Sequence, residues 1–87
     1  MLTTRQYLRM LGKTKEGKET LKKLLAICKS LTETEYWLMY YAFIKGRMVE
    51  NTCAKLHIQK TKYHTMLNEA LIKVEFTINK LDKIRSL

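Results

Sequence analysis

Apolar residues recur three and four apart along most of the chain, which is the spacing of one face of an α-helix. The pattern predicts five helices joined by short turns. The first covers residues 3–11, with Leu8 and Leu11 apolar, and ends near Gly12. The second begins between Thr14 and Glu19, because Gly17 weakens its start, and runs to about Ser30. Its stripe is Leu21, Leu24, Leu25, Cys28 and Leu31, while Lys18, Lys22, Lys23 and Lys29 fall largely off it as a solvated face. The third helix has the clearest start in the chain. Thr32 followed by Glu35 fits a capping box, in which each side chain satisfies a backbone N–H at the helix start. It runs through Trp37, Leu38, Tyr41 and Phe43 to Lys45, where Gly46 stops it. Apolar residues lie nearly all round this helix, so it is expected to be the central, most buried one, with its aromatics in the core.

A short fourth helix is predicted over residues 48–56, with Val49, Cys53 and Leu56 on one face. A turn follows at His57, Ile58 and Gln59. The fifth helix opens near Lys60 and, containing neither glycine nor proline, runs to about Ile84, a length of about 37 Å at the α-helical rise. In its last part Leu67, Leu71, Val74, Ile78 and Leu81 alternate four and three apart, a short heptad seam. The partner of that seam is either the stripe from Leu21 to Leu31 or the same helix of a second copy, which would make a homodimer. Packing within the chain is the default, because so short a chain needs core.

Composition agrees with a small helical bundle: 87 residues, no proline and three glycines. Charge changes the picture more. Seventeen Lys and Arg against eight Asp and Glu leave a formal charge of +9, which attracts polyanions, nucleic acid first and acidic membrane surface second. Solubility alone is the bland alternative. The longest apolar run, Trp37 to Ile44, is far short of the about 20 residues that cross a bilayer, and the N-terminus does not read as a signal peptide. A cytoplasmic protein without membrane partners is therefore expected.

Candidate enzyme chemistry is weak. There is no phosphate-cradling glycine loop, no paired carboxylates on one face and no convincing Ser/His/Asp or Cys/His set, so neither an enzyme nor a cofactor is expected. Cys28 and Cys53 are too few for a disulfide framework. Cys53 and His57 lie four apart with His64 further on, yet they do not complete the set of about four ligands that zinc needs, and structural cysteine is the expectation.

The informative stretch is Val49 to Met66. A helix-turn-helix needs a small residue in the middle of its first helix, apolar residues beside the turn, and two more on the inner face of the second helix. Those places hold Cys53, then Leu56 and Ile58, then Tyr63 and Met66. Helical geometry then turns Lys60, Thr61, Lys62, His64 and Thr65 outward at the start of the second helix, the tip that enters the major groove in such units. From Asn51 to Asn68 there is no acidic residue. An ordinary helical hairpin with a basic face is the alternative.

From Leu31 to Val74, about half the chain, the sequence resembles the fourth region of sigma-70 family factors, which reads the −35 promoter element. The resemblance is carried by the opening LTETE, then Leu38, Met39 and Phe43, Gly46-Arg47, Val49-Glu50, Leu56 and Ile58, Thr61, and Glu69-Ala70-Leu71 with Lys73. Cys53 stands where the family usually has alanine, and His57 where it has a turn glycine. His57 is therefore expected at positive φ, which His tolerates better than most residues. By resemblance Lys60, Thr61 and Thr65 match base-reading positions, and Lys62 and His64 match neighbours that touch the backbone.

Periodicity and composition predict a single all-α domain over residues 1–87, with N-terminal helices over 1–30 and an extension of the last helix over 75–87, and the resemblance assigns a sigma-like helix-turn-helix to 31–74. It implies a transcription regulator that binds double-stranded DNA, with RNA polymerase as a second partner. Small proteins with a freestanding region of this kind occur among phage late-gene activators and autolysin-regulator-like proteins. The first thirty residues do not resemble the aromatic-rich segment that melts the −10 element, so action on a complete holoenzyme is expected. The alternatives are a protein-interaction module, adapting polymerase or a sigma or anti-sigma partner, and a phage DNA-packaging small subunit.

Overall fold

The computed structural model describes residues 2–86, with side chains through residue 82. The two ends of the predicted domain, Met1 and Leu87, lie outside the described residues. Five helices follow one another: α1 (Thr4–Leu11), α2 (Lys15–Ile27), α3 (Glu33–Met39), α4 (Val49–Leu56) and α5 (Lys60–Ser86). No strand occurs among the described residues, so the fold is all-α as the periodicity predicts. No helix is long and apolar enough to cross a membrane. The longest dimension, 43 Å, is close to the length of α5, about 40 Å for its 27 residues at the α-helical rise.

The starts of α1, α2 and α3 are written locally. Thr3, Thr14 and Thr32 each accept a backbone N–H in the first turn. The backbone N–H groups of Thr3 and Thr32 donate in turn to the side-chain oxygens of Gln6 and Glu35, completing a capping box at each. Gly17 sits in the first turn of α2, where it is buried against the end of α1. A Cβ there would lie 2.0 Å from the Leu11 carbonyl oxygen, so glycine permits a close approach that alanine would block. Helix α2 also stops earlier than its apolar stripe suggests, at Ile27, because Cys28 leaves helical geometry at ψ 80°.

The third helix does not continue regularly to Lys45. After Met39 it passes into a π-helical turn, Tyr40–Ile44, in which the Lys45 N–H reaches back to the Tyr40 carbonyl at 3.0 Å. Gly46, at φ 63°, then ends the element. The extra residue in the turn moves the inward positions by one. Leu38 and Met39 are followed into the core by Phe43 and Ile44, five residues on in each case. The expectation of an aromatic core holds for Phe43, whereas Tyr36 and Tyr40 pack only at its edge. Tyr36, Tyr40 and Tyr41 are half-buried and Trp37 is 39% exposed, together forming an aromatic cluster at the surface. Its rings meet edge to face, Trp37 against Tyr36 at 5.2 Å and against Tyr40 at 5.4 Å.

One core joins all five helices. Leu8 of α1, Leu21, Leu24 and Leu25 of α2, Leu38 and Met39 of α3, and Tyr63, Leu67, Ala70 and Val74 of α5 belong to it. The C-terminal seam thus packs within the chain. Leu67 and Val74 are buried with the α2 stripe, Leu71 and Ile78 flank them, and only Leu81 is exposed. Cys28 is buried here too, where the Thr77 hydroxyl donates to its sulfur at 3.3 Å.

Glu35 is the one buried charged side chain among the described residues, 3% exposed. Its Oε1 accepts from the Thr32 N–H at 2.9 Å and from the Lys73 ammonium at 2.6 Å, tying the start of α3 to the middle of α5. Burial pushes the Glu35 carboxyl up. The hydrogen bonds from Lys73 and Thr32, with the ammonium charge, outweigh burial and hold it below the ordinary value of 4.5. A depressed carboxyl stabilises the fold fully above that ordinary value and loses its contribution as pH falls through the folded-state value. Glu35→Gln is expected to cost about 1–3 kcal/mol at neutral pH. Urea unfolding of both proteins should show the gap narrowing below pH 4.5; a gap that is constant with pH would show that the charge of Glu35 contributes nothing.

Candidate nucleic-acid interface

The interface is built on α4, a three-residue turn and the first two turns of α5. Apolar spacing makes α4 amphipathic, with Val49, Cys53 and Leu56 half-buried against the core. The residue buried most deeply is Thr52, 1% exposed. Two small residues in the middle of this helix turn inward: Thr52, buried beside Tyr41, and Cys53, which packs on the core close to Tyr63 of α5. Both fit the three-and-four spacing between Val49 and Leu56, so only packing makes Thr52 the deeper of the two.

Helix α4 ends as the sequence requires. His57 is left-handed, at φ 57° and ψ 44°. The N–H groups of His57 and Ile58 both return to the Cys53 carbonyl, closing the helix end as a glycine usually does. Ile58 packs on the core, and α5 opens two residues later at Lys60.

All five predicted site residues are exposed: Lys60, Thr61, Lys62, His64 and Thr65. Between them Tyr63 is buried at 4% exposure, and Met66 and Leu67 turn inward. One face of the helix start is thus anchored while the other is free. The Thr65 hydroxyl donates to the Thr61 carbonyl at 3.2 Å, which leaves its oxygen lone pairs available to accept. The imidazole of His64 stands edge to face against the Tyr63 ring at 5.3 Å. No acidic residue lies in the first turn of α5, so the positive end of the helix dipole and the lysines act together.

Two features of the surroundings are not legible in the local sequence. Glu50, just before the acid-free stretch, reaches Lys60 at 3.8 Å. Both side chains are about two-thirds exposed, so this pair is weak and screened by salt. Helix α1 lies beside α5, with the Arg5 guanidinium donating to Asn68 Oδ1 at 3.3 Å. No periodicity links residues so far apart in the chain; the excess of positive charge was the one signal.

The left-handed turn residue gives a direct test. Left-handed backbone costs an L-residue about 1–2 kcal/mol, which glycine avoids. His57→Gly is expected to raise stability by about 1 kcal/mol, and His57→Val, being β-branched, to lower it. Thermal melting of the three proteins checks this, and equal midpoints would mean that the turn is not left-handed in solution.

No known family model matches the chain, and no curated protein or solved structure matches it.

Proposed function

We propose that the chain is a sequence-specific DNA-binding transcription regulator that reads promoter DNA with the start of α5. The observation that carries this reading is the alternation at that start: Tyr63 and Leu67 held in the core, with Lys60, Thr61, Lys62, His64 and Thr65 presented to solvent behind a left-handed turn. Such a helix tip offers donors to base edges and phosphates without a carboxylate to repel them. The likeness of residues 31–74 to the fourth region of sigma-70 family factors supports the same reading. By the same likeness, a phage or prophage regulator is the proposed context. The partner is duplex DNA, and the setting is the cytoplasm.

In this reading Lys60, Thr61 and Thr65 reach base edges, whereas Lys62 and His64 touch backbone. Selection of bound fragments from a genomic library should return a defined sequence. Binding to it should weaken steeply with salt, by roughly one logarithmic unit per phosphate neutralised. Lys60→Ala and Thr65→Ala should relax sequence choice, each by about 1–3 kcal/mol of discrimination, and Lys62→Ala should weaken all sequences alike. Sequence choice that survives all three changes would sink the reading.

A second reading is favoured by the aromatic cluster of Tyr36, Trp37, Tyr40 and Tyr41, whose exposure suits a protein contact. Here the chain works on a holoenzyme by touching RNA polymerase as well as DNA. Run-off transcription from its own target promoter distinguishes the cases. Core polymerase with this protein should give no transcript, and holoenzyme with this protein an altered one. Trp37→Ala should abolish that alteration while leaving the DNA complex intact; a transcript from core polymerase with this protein would overturn the reading.

A further inference from the structure

A cleft of about 430 Å³ lies between α1, the end of the third helical element and the start of α5. Its walls carry Arg5 and Arg9 from α1, Arg47 from the segment before α4, and Lys60 and His64 from α5. Of the eight acidic residues in the chain only Glu50 lines it, and that carboxylate already faces Lys60 at 3.8 Å. Burial pushes the Tyr63 phenol at the base of the cleft up, and the charges of Arg5 and Arg9 pull it the other way, so both guanidinium groups act on the same point of α5.

Three arginines and a lysine from three parts of the chain line this one cleft with their side chains exposed, a basic face open to an anion. Guanidinium groups present planar paired donors that match phosphate oxygens. We infer that this cleft grips the sugar-phosphate backbone of duplex DNA flanking the bases read by α5, with Arg5 and Arg9 of α1 as the outer clamp. The inference rests on the DNA-reading role of α5 and extends it to a helix outside residues 31–74. Lys60 and His64 belong both to the cleft wall and to the outward face of α5, so the phosphate track is continuous with the reading edge. Single strands fit less well, because the aromatic at the cleft base, Tyr63, is buried and offers no stacking surface. Duplex RNA fits less well again, since its deep and narrow major groove does not admit a helix.

The test uses the full chain and a fluorescein-labelled mixed-sequence DNA duplex, with binding followed by anisotropy over a series of salt concentrations. Each phosphate contact adds about 0.9 to the slope of log affinity against log salt. Arg5→Gln with Arg9→Gln should therefore make the slope shallower by about 1.8. Lys15→Gln with Lys23→Gln removes the same charge from exposed positions of α2 that do not line the cleft, and should leave the slope unchanged. Arg5→Lys with Arg9→Lys keeps the charge and should retain most of the slope, which separates loss of contact from loss of folding. Equal slopes for the cleft and α2 variants would overturn the clamp while leaving base reading by α5 intact. A shallower slope confined to the cleft variants, on a protein that shows no sequence choice, would support the clamp and remove the proposed reading. Absence of duplex binding by the unaltered protein would remove both.

Discussion

A single carboxylate oxygen organises the junction on which the rest of the molecule hangs. Glu35 Oε1 closes the capping box at the start of α3 and, in the same place, takes the Lys73 ammonium from the middle of α5. A charge buried to this degree is tolerated only with its partners in place, since an unpaired one would cost several kcal/mol. The crossing of α3 over α5 is therefore specified by a polar requirement as well as by packing. Apolar neighbours such as Leu38, Ala70 and Val74 would tolerate small slips along the helix axis; the ion pair would not.

With α5 pinned at its middle, its two ends serve different purposes. Toward the C-terminus the seam of Leu67, Leu71, Val74 and Ile78 is used against α2, giving a small domain the core it needs. Toward the N-terminus Tyr63, Met66 and Leu67 anchor one face of the helix on the core, and Lys60, Thr61, Lys62, His64 and Thr65 are exposed on the other. The turn at His57 aims this end. Its left-handed backbone is a cost accepted for the direction in which α5 leaves α4.

The π-helical turn has an equally large effect on the surface. By shifting the inward register one residue it buries Phe43 and Ile44, so that Tyr40 and Tyr41 join Tyr36 and Trp37 on the outer side. A regular helix of the same sequence would present a different face. Turns of this kind recur at functional sites because they re-aim side chains without breaking the helix. Here the result is an aromatic surface cluster in a chain of formal charge +9.

The sequence by itself determined the features that depend on neighbours within about four residues. The capping box of Thr32 and Glu35, the left-handed residue at His57 and the inside and outside of α5 were all legible, because local hydrogen bonds and helical periodicity specify them. What periodicity could not carry was decided by packing between elements. The register shift after Met39 depends on which side chains the core accepts, and the burial of Thr52 beside Tyr41 on how closely α4 approaches the element before it. The meeting of Arg5 and Arg9 with Lys60 is decided in the same way, by helices more than fifty residues apart in the chain coming to lie side by side. Charge attracts at long range but has no period, so the chain shows how much positive charge there is, and only the tertiary structure shows where it gathers.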